Sequence, residues 1–237
     1  MVVAEIIAGG SGQRMGQDIP KQFINVFDKP LLMYTLEIFQ NHPLIDMIEV
    51  VCIDGWQDVV WAYANHYGIT KLRWIVTGGN TGQESIRNGI FHLEQELEAK
   101  DIVVIHDGIR PLVEEYVLSS VIETATKYGN GITSRPYNEQ VFMIDEEDKE
   151  STKRYIHRRQ LRRVSTPQAY QFGILDSVYH DAFNQNKGIG PSTYTNTLMV
   201  DFGYSLYFAE GSDRNIKITT IDDLEIFKAY IKSGKNK

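Results

Sequence analysis

The alternation of short apolar runs with helically spaced segments, over roughly its first half, constrains this chain more than any other feature. Val2–Ala8 is a β-rich run that ends in glycines, and Leu31–Gln40 carries apolar residues at helical spacing behind Pro30. Met47–Ile53, Leu72–Val76 and Asp101–His106 are further strand-like runs, the last a continuous apolar one of the buried type. Trp56–Tyr67, Gln83–Leu97 and Val113–Tyr128 carry the helical pattern. This order predicts βαβ units and an α/β fold, with a mostly parallel sheet flanked by helices. Ligands of such sheets bind at the carboxyl ends of the strands, where the loops beginning at Gly9, Gly78 and Asp107 all fall.

The pattern changes after Gly131. Gln140–Asp145 and Lys153–Ile156 alternate like two antiparallel strands around the acidic tip Glu146–Glu150, which predicts a projecting hairpin arm within about residues 137–163. A helix at Ile174–Phe183, a segment at Thr195–Val200, a strand at Ser205–Ala209 and a last helix at Ile221–Ile231 return to the body. With 237 residues, 42% of them hydrophobic, the chain suits one large domain.

A net charge of −7 argues against a general nucleic-acid or anionic-membrane binder. An anionic substrate would have to be held by locally gathered Arg and Lys. Cys52 is the one cysteine, so an internal disulfide and a Cys-based zinc site are excluded. Its place in the run Ile48–Ile53 reads as a small buried hydrophobe. The first residues lack a basic leader pattern and no apolar stretch reaches membrane-spanning length, so a soluble cytoplasmic protein is expected.

The most informative stretch is Ala8-Gly9-Gly10-Ser11-Gly12-Gln13-Arg14-Met15-Gly16, continuing to Pro20-Lys21-Gln22. Glycines after a first strand let the backbone approach a ligand and turn its N–H groups toward phosphate oxygens, though tight turns use glycine as well. A P-loop would need Lys followed by Ser or Thr directly after its last glycine, and none is there. The dinucleotide fingerprint fails because Met15 holds its last glycine position, and Asp54 lies well beyond the expected acidic position. The loop instead carries Arg14 and Lys21, a planar fork and a compact point charge, which suit a triphosphate whose leaving group gains negative charge.

The run Ala8–Gln22 resembles the signature of the cytidylyltransferases that act on 2-C-methyl-D-erythritol 4-phosphate and on ribitol 5-phosphate. The similarity continues in family order through Gly78-Gly79, Ser85, Ile105-His106-Asp107-Gly108-Ile109-Arg110-Pro111, Thr166-Pro167-Gln168 and Asn215-Ile216-Lys217-Ile218-Thr219. The resemblance implies a Rossmann-like nucleotidyltransferase fold. It implies that Arg14, Lys21 and Lys217 act on the CTP phosphates, and that Ala8, Gly9, Gly10, Gly12, Gly79, Asn80 and Ser85 form the cytidine pocket. Asp107 becomes an Mg²⁺ ligand, with a helix cap as its plain alternative, and Ser85 could equally be a cap. His106 reads as a packed, hydrogen-bonded residue.

For the acceptor, a polyol phosphate, the resemblance implicates Arg110, Gln140, Arg158, Thr166, Thr195 and Asn196. The Arg matching Arg158 crosses from the partner subunit in the family, so a homodimer is expected. The basic segment Lys153–Arg163 could otherwise be a solvated helix face or a nucleic-acid patch. Relatives that use methylerythritol phosphate have Thr where this chain has Gln140, and Asp where it has Asn196; an amide in place of a carboxylate changes which hydroxyls can be bound. Ribitol, arabinitol or a hexitol phosphate is therefore preferred. The isoprenoid-pathway enzyme, a non-catalytic nucleotide-binding protein and, more distantly, a dehydrogenase are the alternatives. No general base stands out, as fits an acceptor phosphate already ionised near neutral pH.

Overall fold

A computed structural model describes residues 1–10, 19–145, 148–190 and 193–234. β1 (Val2–Ala8) is followed by a small hairpin of β2 (Asn25–Val26) and β3 (Lys29–Pro30) that leads into α1 (Leu31–Asn41). β4 (Met47–Cys52), α2 (Gln57–His66), β5 (Leu72–Thr77), α3 (Gly82–Leu93), β6 (Ile102–Asp107) and α4 (Glu115–Tyr128) continue the alternation. Then come β7 (Asn130–Pro136), the short strands β8 (Val141–Met143) and β9 (Arg154–Ile156), and the long β10 (Arg162–Gln171). The chain ends with α5 (Phe172–Gln185), α6 (Thr195–Asp201), β11 (Phe208–Glu210) and α7 (Ile221–Lys232).

Seven strands form one sheet in the order β11-β7-β10-β6-β1-β4-β5. β1 pairs in parallel with β4 on one side and β6 on the other, β4 with β5, and β11 with β7. β10 runs antiparallel to both neighbours, β6 and β7. The chain thus runs outward from β1 to β5, then returns to β6 on the far side of β1. That reversal opens a crevice at the carboxyl ends of β1 and β6.

Both faces of the central strands are buried, which is why their sequences are nearly continuous in apolar residues. Ala4, Ile6 and Ala8 of β1 enter the core shared with α1 and α4, while Val3 packs on the opposite face with Ile90 and Leu93 of α3 and Tyr179 of α5. A third, smaller cluster joins Ile24, Val26, Leu31, Ile109, Leu112, Ile218, Leu224 and Phe227. Cys52 is fully buried, and burial pushes its thiol up to about 12, as suits a packing residue. Among the described residues, no helix is long and apolar enough to cross a membrane.

The strands and helices read from periodicity all form, mostly with ends displaced by a residue or two. The strand expected at Ser205–Ala209 is shorter and later, at Phe208–Glu210. Strands β7 and β10 have no counterpart in the sequence reading. Their inward side chains include polar ones satisfied at long range: Thr133 Oγ1 donates to the Pro167 carbonyl at 2.6 Å and Asn130 Nδ2 to that of Ser205 at 2.9 Å. The expected arm is present, with Val141 facing Ile156, Phe142 facing Tyr155 and Met143 facing Arg154. The basic segment Lys153–Arg163 is not a helix face: it supplies β9, a 3-10 turn at Arg158–Gln160 and the start of β10.

Gly131 on β7 lets α4 approach. A Cβ there would overlap the Val121 carbonyl oxygen and stand 3.0 Å from Thr124 Cβ and 3.1 Å from the Ala125 nitrogen. Gly131→Ala is expected to cost about 1–3 kcal/mol through this overpacking, read as a lower urea midpoint with an unchanged m-value.

Candidate active site

The carboxyl end of β1 is held by neighbours from three loops. Gly9 and Gly78 back onto Ser85: a Cβ at either would stand 3.1 Å from Ser85 Oγ. That hydroxyl accepts from the Gly79 N–H at 3.0 Å and donates to the Thr81 carbonyl at 2.9 Å. Thr81 is the cap of α3, accepting from the Glu84 N–H at 3.1 Å, while the Glu84 carboxylate takes the Asn80 N–H at 2.8 Å. Ser85 is therefore not the cap; it is a buried support for the glycine loop, placed in the first turn of α3.

Gln22 Nε2 donates to the Ala8 carbonyl at 2.6 Å and ties the 3-10 turn Lys21–Phe23 to the end of β1. The Lys21 stem reaches Gly10, its Cε 3.9 Å from where a Cβ on that glycine would be. Arg14 and Gly12 lie outside the described residues.

Asp107 ends β6 beside this loop, opposite Ile7 in register. Its Oδ2 takes Arg110 Nε at 2.8 Å and the Thr166 hydroxyl at 3.2 Å, and its Oδ1 takes Lys217 Nζ at 2.9 Å. Arg110 reaches on through Nη1 to the Asn215 carbonyl at 2.9 Å, and Asn215 Nδ2 donates to the Thr166 carbonyl at 2.7 Å. Burial alone would raise the Asp107 carboxyl, but Lys217 and Arg110 outweigh it and hold the group well below the usual carboxylate range. A helix-capping role is excluded, since Glu114 precedes the first turn of α4. His106 is fully buried, with Nε2 donating to the Arg110 carbonyl at 3.2 Å. Burial lowers its imidazole to about 3, so it stays neutral and structural.

Three segments far apart in sequence meet here because each contributes an apolar residue to the third core cluster. Ile24 follows the Lys21 turn, Ile109 follows Asp107, and Ile218 follows Lys217. The Ile218 N–H also donates to the Ile109 carbonyl at 2.9 Å. Immediately beyond, Thr220 and Asp223 form a reciprocal cap that starts α7: Asp223 Oδ2 takes the Thr219 and Thr220 N–H groups at 2.8 Å each. Lys217 is thus fixed on both sides.

The remaining candidates fall into three groups. Arg110 and Thr166 belong to the Asp107 cluster. Gln140 and Arg158 line one hollow on the arm with Phe142 and Tyr155, and Arg158 Nη1 donates to the Asn138 carbonyl at 3.2 Å. Thr195 and Asn196 open α6 and are buried. Thr195 Oγ1 lies 2.8 Å from the Tyr179 hydroxyl, which donates to Gln83 Oε1 at 2.6 Å, so this pair is tied to the first turn of α3.

The profile of the 2-C-methyl-D-erythritol 4-phosphate cytidylyltransferase family matches residues 2–233. The chain belongs to this family. It is 53% identical over 232 residues to ribitol-5-phosphate cytidylyltransferase of Lacticaseibacillus paracasei, covering 98% of each chain. It is 37% identical to 2-C-methyl-D-erythritol 4-phosphate cytidylyltransferase of Syntrophus aciditrophicus, covering 100% of this chain and 98% of the other. Among solved structures, 4-diphosphocytidyl-2C-methyl-D-erythritol synthase of Anaerococcus prevotii superposes with a TM-score of 0.81 at 24% identity, covering 98% of both chains. The Francisella tularensis 2-C-methyl-D-erythritol 4-phosphate cytidylyltransferase gives 0.78 at 27% identity, covering 96% of this chain and 98% of that one.

For a cytidylyltransferase the arrangement is apt: cations gathered beside a glycine-lined strand end neutralise charge, which is most of what nucleotidyl transfer asks of a protein. Two organisers carried no assigned role at the sequence level, Gln22 and Asn215. Both sit inside motifs that were visible, and only the fold reveals that their amides clamp the backbone. Ile218→Ala, which touches no ligand group, is expected to cost about 2–5 kcal/mol by urea denaturation. It should also lower kcat at temperatures where the variant remains folded, because Lys217 loses its anchor.

Proposed function

We propose that this protein transfers CMP from CTP to ribitol 5-phosphate, giving CDP-ribitol and pyrophosphate. The observation that carries the reading is the cluster of Asp107, Arg110 and Lys217 beside the glycine loop of β1. The 53% identity to a ribitol-5-phosphate cytidylyltransferase over nearly the full length supports the acceptor. So do Gln140 and Asn196, amides at two positions where the resemblance implies Thr and Asp for an enzyme acting on methylerythritol phosphate. In the reaction an acceptor phosphate oxygen bonds to the α-phosphorus of CTP as the α–β bridging bond breaks, and the electron pair leaves on pyrophosphate. The acceptor oxygen is already ionised, so no protein base is required. Lys21 and Lys217, with Arg14 by resemblance, neutralise the phosphates, and losing any one of them should cost roughly 10²–10³ in rate.

Asp107 fits Mg²⁺. It offers hard carboxylate oxygens at a charged edge, and Oδ1, bonded to Lys217 Nζ, retains a lone pair. One carboxylate together with substrate phosphates is a usual way to hold this ion. The ion would supply charge neutralisation across the phosphates.

The arm serves a homodimer in this reading. Phe142, Ile144 and Tyr155 stand 58%, 65% and 59% exposed on it, apolar surface that a second copy would cover while receiving Arg158. The use of CTP places the work in the cytoplasm, and CDP-ribitol would feed cell-surface polymers.

The test is to supply CTP, Mg²⁺ and a panel of polyol phosphates and measure pyrophosphate. Turnover with ribitol 5-phosphate is expected; turnover with methylerythritol phosphate alone rejects the acceptor, and tight CTP binding without any turnover favours a binding role. Asp107→Asn should lower kcat by roughly 10²–10³ and raise the Mg²⁺ concentration needed for half-maximal rate, with circular dichroism unchanged. Unaltered Mg²⁺ dependence would remove the metal assignment.

A further inference from the structure

Away from the site, beneath α3, two glutamates lie side by side. Glu5 on β1 and Glu49 on β4 are register partners, so their side chains leave the same face of the sheet, and both are fully buried. Among the described residues, neither Glu5 oxygen finds a hydrogen-bond donor, nor does Glu49 Oε2. Glu49 Oε1 is met by His92 Nδ1 at 2.6 Å. Both carboxyl groups press on one glycine of α3: a Cβ at Gly89 would stand 2.8 Å from Glu49 Oε2 and 2.8 Å from Glu5 Cδ. The surroundings are apolar, with Val3, Ile90, Leu93 and Ile105 in the same cluster. The β6 neighbour of Glu5 is Ile105, and the β5 neighbour of Glu49 is Trp74. The titratable groups that face the pair are His92 from α3 and Tyr179 from α5.

Two carboxylates in such a chamber cannot both be charged at ordinary cost, because His92 offers one compensating cation at most. A proton on Glu5 converts it into an O–H donor and leaves Glu49 ionised against His92. We propose that Glu5 is a positioning residue for the nucleotide site, keeping one proton, shared with Glu49, that holds α3 on the sheet and with it the Gly78–Asn80 loop. The mechanical link is the first turn of α3, which holds the Gly79 N–H through Ser85 and the Asn80 N–H through Glu84.

The electrostatics agree with this. Burial, and then Glu49, pushes the Glu5 carboxyl well above the usual range; burial raises Glu49 to about 7 against the opposing pull of His92; and the bond to Glu49 raises His92. The folded protein then holds the Glu5 proton at pH values where the unfolded chain has released it. The resulting stability is full at the acid side and is lost as pH rises.

Urea unfolding of the wild type and of Glu5→Gln across about pH 6 to 9 tests the proposal. Gln supplies an N–H donor in place of the carboxylic O–H and has no proton to lose. The folding equilibrium constant of the wild type should fall about tenfold more per pH unit than that of the variant. The infrared band of a protonated carboxyl should persist in the wild type at neutral pH and be missing in the variant. With CTP as the probe, kcat and KM of the two proteins should agree at pH 6 and stay together while the carboxylic-acid band persists; above the pH at which that band is lost, the wild-type KM should rise while that of the variant stays flat. Equal pH slopes, or no carboxylic-acid band in the wild type, overturn the shared proton. Different slopes with parallel KM profiles overturn the positioning role. The KM half rests on the CTP reading; the unfolding and infrared readouts do not, so absence of CTP turnover would leave them decisive.

Discussion

The contact between Lys217 and Asp107 spans 110 positions of sequence at 2.9 Å, and the rest of the site depends on it. Charge attraction does not create this contact. Lys217 is 40% exposed, and a partly exposed pair of this kind contributes little stability by itself. What brings the two together is apolar: Ile109 and Ile218 are buried in one small cluster next to them, and Ile24 brings in the Lys21 turn at the neighbouring carboxyl end of β1. The hydrophobic effect is undirected, so the hydrogen bonds of Asn215, Thr166 and Arg110 convert proximity into geometry. Asp107 is then a carboxylate held ionised by two cations at the edge where a triphosphate would lie.

The glycine-loop side of the candidate site is built by a different logic. Here glycines permit close approach, and one buried hydroxyl, Ser85, satisfies backbone groups of two turns at once. Because these bonds originate in the first turn of α3, the loop is only as steady as the seating of that helix on the sheet. The seating is unusual in resting on carboxyl groups at Glu5 and Glu49 where aliphatic side chains would be the ordinary choice. The proposed cytidine pocket and the buried pair Glu5 and Glu49 are thereby joined through α3.

Much of this was legible before any coordinates. The central strands announce themselves because both faces are buried, leaving little room for polar residues in Val2–Ala8 or Ile102–Asp107. The arm was visible from its alternation and its acidic tip. β7 and β10 were not, since Thr133 and Asn130 point inward yet find carbonyls in distant segments, which no local pattern can show. The candidate site residues stand in motifs in family order, but their partnerships are not legible there: Ser85 could equally be a cap, and only the fold gives that role to Thr81. Glu5 and Glu49 are each a charge inside an apolar run, which by itself assigns them no role. That they are neighbours follows only from the register of β1 against β4.

The proposed reaction requires the phosphates of a nucleotide to lie between the ends of β1 and β6. A crystal structure of the protein with CTP and Mg²⁺ addresses this directly. The triphosphate is expected between Lys21 and Lys217, with the base against Gly79 and Ser85 and the metal on Asp107. A triphosphate bound elsewhere, with the Lys217–Asp107 contact far from it, would contradict the claim.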